Sequence, residues 1–368
     1  GKGFTEWTNV MRAMPQFAGH HQPDLPGELG LYDLRDPGVM ESQARLAREH
    51  GVHGFCFYYY WFGGKRLLEK PLDLFLAKRS PDFPFCLCWA NENWTRKWDG
   101  AEQEILMRQD YADGWEDSFF HDILPFLRDS RCIGVNGSPL LLVYRVNKLP
   151  DPAGTASRWR KLAKEAGLSG LHLSAVQSFG ITDPRPYGFD SAVEFPPHTH
   201  HRLIDRQTWP GVAPAFEGYL EDYPGVMKDL VSKPPAEYPL FRGIMPSWDN
   251  TPRAQHRAHI LVNSSPQLYE KWLRYLVERS LAARDIQPPM IFINAWNEWA
   301  EGTHLEPDCK RGRAYLEATR RALVNGIADS FTRAGFRANP AVINESLELN
   351  PSSPVPTPAP PRIADGSA

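Results

Sequence analysis

The sequence predicts an α/β fold, a (β/α)8 TIM barrel, on three observations. Short apolar runs alternate with helix-like segments almost from end to end. Aromatic, amide and carboxylate residues crowd immediately after those runs, where a parallel barrel carries its chemistry. No glycine-rich phosphate-binding turn follows any run, which disfavours the alternative of an open, doubly wound sheet.

The strand-like runs are residues 52–61 (VHGFCFYYYW), 83–90 (FPFCLCWA), 139–146 (PLLLVYRV), 171–176, 191–195, 240–248 and 290–296. Helical patterns fall at 38–50, 71–78, 115–128, 156–166, 219–231, 267–284 and 313–325. The helix at 38–50 precedes the first run and needs a strand before it. The expectation is therefore a barrel lacking its first strand in this fragment, with residues 1–35 forming the long loop after that strand. Such a barrel exposes two sheet edges. The barrel domain is expected over residues 1–337. Residues 338–368, ending NPSSPVPTPAPPRIADGSA, read as a Pro/Ser/Ala-rich disordered linker or tail, which implies further domains in a parent protein.

Bulk properties exclude several classes. The 368 residues carry 41 Lys+Arg against 44 Asp+Glu, a net charge of -3, which leaves no electrostatic footprint for nucleic acid. No apolar stretch approaches the roughly 20 residues of a membrane span. The odd set of cysteines (Cys56, Cys86, Cys88, Cys132, Cys309) fits a reducing, cytoplasmic bacterial location better than a disulfide scaffold. Cys86 and Cys88 share a strand face, but no partner pair stands at zinc spacing, so neither metal nor cofactor is expected.

The segment IFINAWNEWAEG (residues 291–302) carries the strongest chemical signal. An apolar strand ends in Glu298 and Glu301, three residues apart and flanked by Trp296, Asn297 and Trp299. Two carboxylates can work as acid and base on a glycosidic bond, and indole faces can stack on a sugar ring. The structural alternative is a hydrogen-bonded brace with core tryptophans. Other strand ends are loaded in the same way: Tyr58 and Tyr60; Trp89, Asn91, Glu92 and Trp94; Glu194 and His198, followed by His200 and His201; Trp248 and Asp249, with Arg253 close behind. These are the expected substrate contacts. For Glu92 a brace to Arg96 competes with that role, for Asp249 a cap or a pair with Arg253, and Arg145 reads as an ion-pair residue. The histidines invite a metal reading, but adjacent His200 and His201 point apart and suit sugar hydroxyls equally well.

The motifs GKGFTEWTNV, GHHQPDLPGELGLYDLRDP, GFCFYYYWFGGKRLLEKP, FPFCLCWANENWTRKWDG, AVEFPPH and NAWNEWAEGTHLEP resemble the WbsX-like family, the glycoside hydrolase family 99-like domain, from Gly1 to about Gly335. The resemblance implies a (β/α)8 barrel related to the family 99 endo-α-mannosidases and endo-α-mannanases. Those relatives carry Asn-Glu-Trp-His-Glu-Gly where this chain has Asn297-Glu298-Trp299-Ala300-Glu301-Gly302. It implies that Glu298 assists attack by the sugar's own 2-hydroxyl, giving a 1,2-anhydro sugar, and that Glu301 is the general acid/base, with retention of configuration. The acid would need a raised pKa, which burial beside Trp299 would supply, and the base an ionised state favoured by Asn297 or an arginine. Ala300 replaces the family's His, which puts the mannosidase substrate in question. The leading reading is a glycoside hydrolase-like enzyme acting on α-linked glycans of bacterial O-antigen or capsule type, with an oligo- or polysaccharide as partner. The alternatives are a glycosyltransferase of lipopolysaccharide or polysaccharide biosynthesis using the same cleft, and a non-catalytic carbohydrate-binding module.

Overall fold

The computed structural model describes residues 5–96, 101–198, 202–283 and 287–334, the side chains of 96 and 101–104 excepted. Seven parallel strands appear where the apolar runs predict them: β1 (Phe55–Phe62), β2 (Phe85–Trp89), β3 (Ser138–Val143), β4 (His172–Gln177), β5 (Ser191–Glu194), β6 (Leu240–Ile244) and β7 (Ile291–Ile293). Each pairs in parallel with the next in sequence, as in Phe55↔Phe85, Leu87↔Leu141, Leu140↔His172, Ser174↔Ser191, Leu240↔Ala192 and Arg242↔Ile291. The sheet curls as a (β/α)8-type barrel that stays open between β7 and β1, which do not pair among the described residues. The Trp296 ring, just beyond β7, nonetheless reaches the Phe55 ring of β1 at 5.1 Å between centroids.

The connecting helices are α1 (Pro37–Glu49), α2 (Lys70–Lys78), α3 (Trp115–Leu127), α4 (Pro152–Glu165), α5 (Tyr223–Ser232), α6 (Pro266–Ala282) and α7 (Ala314–Arg333). Four of them start from the same chemistry. The side chains of Asp36, Asp151, Asp222 and Ser265 accept a backbone N–H of the first turn, and a proline stands at one of the first two positions. The pattern reading placed α5 from residue 219. Residues Tyr219–Asp222 instead form a strand, paired with Leu203–Ile204 and His259–Val262 in a small accessory sheet that the periodicity did not reveal. A hairpin of Trp94–Arg96 with Ala101–Met107 was likewise unanticipated.

Strand alternation sorts the side chains into two layers. Phe55, Tyr59, Trp61, Phe85, Leu87 and Trp89 face the helices and pack on Phe75, Phe119 and Trp159. Cys86, Cys88, Leu140, Leu142, Val176, Val193 and Phe241 face inward and fill the barrel with half-buried Tyr58 and Phe292. All five cysteines are free; Cys86 and Cys88 belong to this inner packing, whereas Cys56 and Cys309 are exposed. A third cluster joins Ile244 to α6 and α7 through Trp272, Leu276, Leu316 and Ala322. No described helix is long and apolar enough to cross a membrane. The expected tail at 338–368 lies outside the described residues, so the domain boundary remains an expectation.

Trp159 of α4 anchors the outer layer. It is fully buried, lies 5.1 Å from Phe119, 5.9 Å from Trp115 and 6.0 Å from Trp89, and donates its indole N–H to the Glu116 carbonyl at 3.1 Å. We expect Trp159→Ala to lower unfolding free energy by about 3–5 kcal/mol in urea titration. A loss below about 1 kcal/mol would show that the cluster does not hold α3 and α4 to the sheet.

Candidate active site

Beyond β7 the backbone turns through a cis Asn294–Ala295 peptide into a short two-stranded ribbon, and the 3-10 turn Trp299–Glu301 places Glu298 and Glu301 side by side. Both carboxylates meet one cation. Arg253, on the short helix Thr251–Ala254 beyond β6, gives Nη2 to Glu298 at 3.0 Å and Nη1 to Glu301. Burial alone would lower the guanidinium's pKa. The charges of Glu301, Glu298 and Glu6 instead hold it above its ordinary range. The neutralising arginine anticipated for the base is therefore Arg253, while Asn297 donates to the Tyr32 hydroxyl at 3.0 Å.

A third carboxylate joins them. Glu6, the first residue of the helix Glu6–Val10, accepts the Ala300 N–H at 3.0 Å, between the two glutamates of the turn. Desolvation of the carboxyl against the turn, then the charge of Glu298, pushes it up to about 7, while the residue as a whole remains solvent-exposed. Ala300 is buried against Trp7, Val10 and Trp299, so the helix fills the space above the turn. The long N-terminal segment thus meets the turn that carries Glu298 and Glu301, at the end of the barrel where it was expected, but its acid was not singled out. Its only sequence signal was a glutamate within GKGFTEWTNV.

The turn is braced from below by Glu306. This carboxylate is 2% exposed and accepts four donors: Gln43 of α1 at 2.7 Å, the Tyr32 hydroxyl at 2.8 Å, the Trp296 indole at 3.0 Å and the Trp299 indole at 2.7 Å. The loop after β6 braces it from the side. Asp249 donates its N–H to the Glu301 carbonyl at 2.8 Å, and Ser247 its hydroxyl to the Gly302 carbonyl at 2.7 Å. The Asp249 carboxylate caps Thr251 at 3.0 Å and receives His20 at 2.7 Å and Gln22 at 2.6 Å. His20 Nδ1 accepts the Gln16 N–H, so Nε2 carries the proton toward Asp249.

The opposite wall is aromatic. Tyr60 lies 6.1 Å from Tyr58 and 5.0 Å from Trp94, and Tyr58 lies 6.1 Å from Tyr144. Burial, with the charge of Glu298 or Glu301 among its neighbours, raises each of the Tyr58, Tyr60 and Tyr144 hydroxyls above the ordinary range. His198 pairs with the Tyr144 hydroxyl at 3.1 Å and stacks on Phe179 at 4.5 Å and Phe195 at 5.2 Å.

Several expected substrate contacts are placed elsewhere. Trp89 is fully buried under α3 and α4, so its ring cannot meet a sugar. Glu194 is 2% exposed and bound to Arg242 at 3.0 Å and the Gly243 N–H at 3.2 Å, a brace between β5 and β6. Asn91 is buried and exchanges two hydrogen bonds with the Arg145 backbone, and Glu92 pairs with the Arg145 guanidinium, while the Arg96 side chain expected to brace it lies outside the described residues. Trp248 is core, and the Trp296 and Trp299 indoles are committed to Glu306. Asp249 is a brace, and Arg253 pairs with the glutamates instead of with it. Tyr58, Tyr60, Trp94 and His198 remain on the cleft wall with Glu298 and Glu301. Trp98, His200 and His201 lie outside the described residues.

Among the described residues, Asp24, His304 and Asp308 offer three ligand atoms within 4.8 Å. Protein charges already balance this group. Arg311 lies 3.7 Å from Asp24 and 3.5 Å from Asp308, and His304 lies 3.5 Å from Asp24. Burial alone would raise Asp24, but the His304 hydrogen bond and charge bring it below its ordinary value.

The model of the family described as Glycosyltransferase WbsX matches residues 1–319. Two proteins described as uncharacterized protein WxcX, from two strains of Xanthomonas campestris pv. campestris, are 47% identical over 325 residues, 88% of this chain and 46% of theirs. The chain thus spans about half the length of the curated relatives it matches. A solved glycoside hydrolase-like protein is similar with a TM-score of 0.54 at 15% identity, covering 82% of this chain and 89% of that one. A GH99 endo-alpha-mannosidase from Bacteroides thetaiotaomicron is similar with a TM-score of 0.53 at 15% identity, covering 84% of each chain. These two likenesses show the fold.

Two substitutions test the braces. Glu306→Gln turns an amide N–H toward donors that need an acceptor, and we expect a loss of at least about 2 kcal/mol by urea unfolding. An unchanged midpoint would remove Glu306 from the brace. Gly302 holds φ +60°, and an added Cβ would stand 2.5 Å from the Asp249 carbonyl. Gly302→Ala should therefore cost more than about 1 kcal/mol, and equal stability would mean the turn tolerates displacement from Asp249.

Proposed function

The chain belongs to the WbsX family, and on that premise we propose that it is a glycoside-active enzyme whose Glu298 and Glu301 cleave an α-linked bacterial glycan with retention of configuration. The observation that carries this reading is the pair of adjacent carboxylates on one guanidinium, facing a wall of Tyr58, Tyr60 and Trp94. Sugar chemistry needs both parts: acid and base groups at the bond, and flat apolar faces for the ring.

In this mechanism Glu298 removes the 2-hydroxyl proton and the freed oxygen closes on the anomeric carbon. Glu301 assists departure of the glycosidic oxygen, then activates water that opens the 1,2-anhydro ring. Arg253 fixes both carboxylates in the resting site, so substrate hydroxyls must take over part of its hydrogen bonding. The position between the glutamates is Ala300, packed beneath the Glu6–Val10 helix, so no side chain there contacts the sugar. This supports a substrate other than that of the mannosidase-type motif.

A transferase reading is favoured by the family's description. It uses the same carboxylates with a sugar hydroxyl in place of water, and the intermediate is common to both reactions.

The test is turnover of a panel of α-linked mannose and deoxysugar oligosaccharides, with product configuration read by proton NMR. Glu301→Gln should lower turnover at least about a hundredfold. Unchanged turnover would remove Glu301 from the chemistry. Product extended on an added sugar acceptor, with no hydrolysis, would establish the transferase.

A further inference from the structure

His304 pairs with Asn297 across the short ribbon and is 4% exposed. Its ring lies flat on the Trp299 indole, with 3.7 Å between centroids and 17° between planes. Both ring nitrogens face acceptor oxygens. Nδ1 stands 3.0 Å from the Glu306 carbonyl, and Nε2 stands 3.5 Å from Oδ2 of the Asp24 carboxylate. A neutral imidazole carries one N–H and one lone pair, and would set that lone pair against one of these oxygens. Only a ring protonated on both nitrogens satisfies both sides.

The charges around the ring require the same state. Asp24 from the N-terminal segment and Asp308 from the loop after the ribbon both approach Arg311, at 3.7 Å and 3.5 Å. With His304 neutral, two carboxylates would share one cation; with His304 charged, the four groups balance. His21, 3.8 Å from Asp24, and Lys310 and Tyr315 complete the titratable groups around the two aspartates. The Glu306 carboxylate is bound to the indoles, Gln43 and Tyr32, and turns its carbonyl to His304. Burial alone would lower the His304 pKa, but the Asp24 hydrogen bond and charge, with the charge of Asp308, carry it above its ordinary value. A ring protonated on both nitrogens has no lone pair for a metal, so the group is an ion-pair network.

We propose that His304, held as an imidazolium by Asp24, is a positioning residue that locks the turn carrying Glu298 and Glu301 to the N-terminal segment. The link acts on Trp299 from two directions. The cationic ring holds its face, where the indole quadrupole attracts positive charge. Glu306, whose carbonyl accepts from His304, takes the indole N–H at 2.7 Å. Loss of the ring's second proton would weaken the stack and the ion pair together and leave a lone pair facing Asp24. The turn is thus ordered by a proton that takes no part in bond cleavage. This role depends on the sugar-cleaving reading only for its effect on turnover.

The sign of the pH dependence follows from the same geometry. A histidine raised above 6.5 on folding keeps its proton where the unfolded chain has lost it. The stability it contributes is complete below 6.5 and is lost as pH rises through the folded value. Asp24→Asn removes the partner charge. The native chain should therefore exceed Asp24→Asn in thermal stability most near pH 6.5 and progressively less in the alkaline range.

The deciding experiment is an NMR titration of the 15N-labelled chain without substrate. The His304 ring is assigned by cross-relaxation with the Trp299 indole, so no variant of His304 itself is required. Both ring nitrogens should be protonated at neutral pH, with a midpoint above 6.5. Asp24→Asn should lower that midpoint by at least about one unit, a tenfold change in proton affinity. The Trp299 indole N–H, assigned through Trp299→Phe, should shift with the His304 midpoint in both proteins. A neutral ring at neutral pH, or an Asp24→Asn midpoint equal to the native one, overturns the imidazolium. A Trp299 signal that ignores the titration overturns the positioning role. On any panel glycan that is cleaved, turnover should fall on the alkaline side, and that limb should move to lower pH in Asp24→Asn. A limb that stays in place overturns the coupling to the chemistry, while Glu301 retains its role. If the native chain cleaves no glycan, the cleavage reading alone falls, and the two resonances decide the role of His304.

Discussion

Glu306 is a buried carboxylate with four donors converging on it, and the turn that carries Glu298 and Glu301 depends on that convergence. Burying a charge without partners is prohibitive. Here Gln43 from the first helix, Tyr32 from the N-terminal segment, and Trp296 and Trp299 from the turn itself supply the partners. The arrangement joins the N-terminal part of the chain, through Tyr32 and Gln43, to a turn that follows it by more than 250 residues. It also ties both indole N–H groups to one carboxylate, with Trp299 buried beneath the turn and Trp296 half-buried beside it. Trp299, one of the two tryptophans most suggestive of sugar stacking, is thus buried as a structural member of the site.

Arg253 performs the complementary task on the open side. It holds two carboxylates in one geometry, while Glu6, from the N-terminal helix Glu6–Val10, meets the same turn at the Ala300 N–H. Electrostatics inside such a cleft is stronger than in water, because few solvent dipoles compete. The site is therefore best described as a four-member charge cluster rather than a carboxylate pair.

Much of this was legible in the sequence, for identifiable reasons. Buried parallel strands are apolar over their full length, so each of the seven runs revealed itself, and β7 led directly to Glu298 and Glu301. Strand parity carried further information. Trp89 shares a face with Phe85 and Leu87, and Glu194 with Ala192, which places both toward the helices, while Tyr58 and Tyr60 alternate with them. What the sequence withheld was long-range. Glu6 and Ala300 are 294 positions apart, and nothing local distinguishes an acid that folds back onto a distant turn from one that is solvated. Arg253 stood beside Asp249 in sequence, and proximity suggested the wrong partner. The accessory sheet was hidden because strands of two to four residues are too short for a period to register.

The packing of Ala300 restricts how this site can change over evolutionary time. The methyl group is roofed by Trp7 and Val10, and the same roof delivers Glu6. A larger side chain at that position would lift the helix and withdraw the carboxyl with it. The two features are therefore alternatives: a chain can carry a bulky polar residue between its glutamates, or an acid brought in from the N-terminal segment, and passage from one to the other requires both changes to occur in concert.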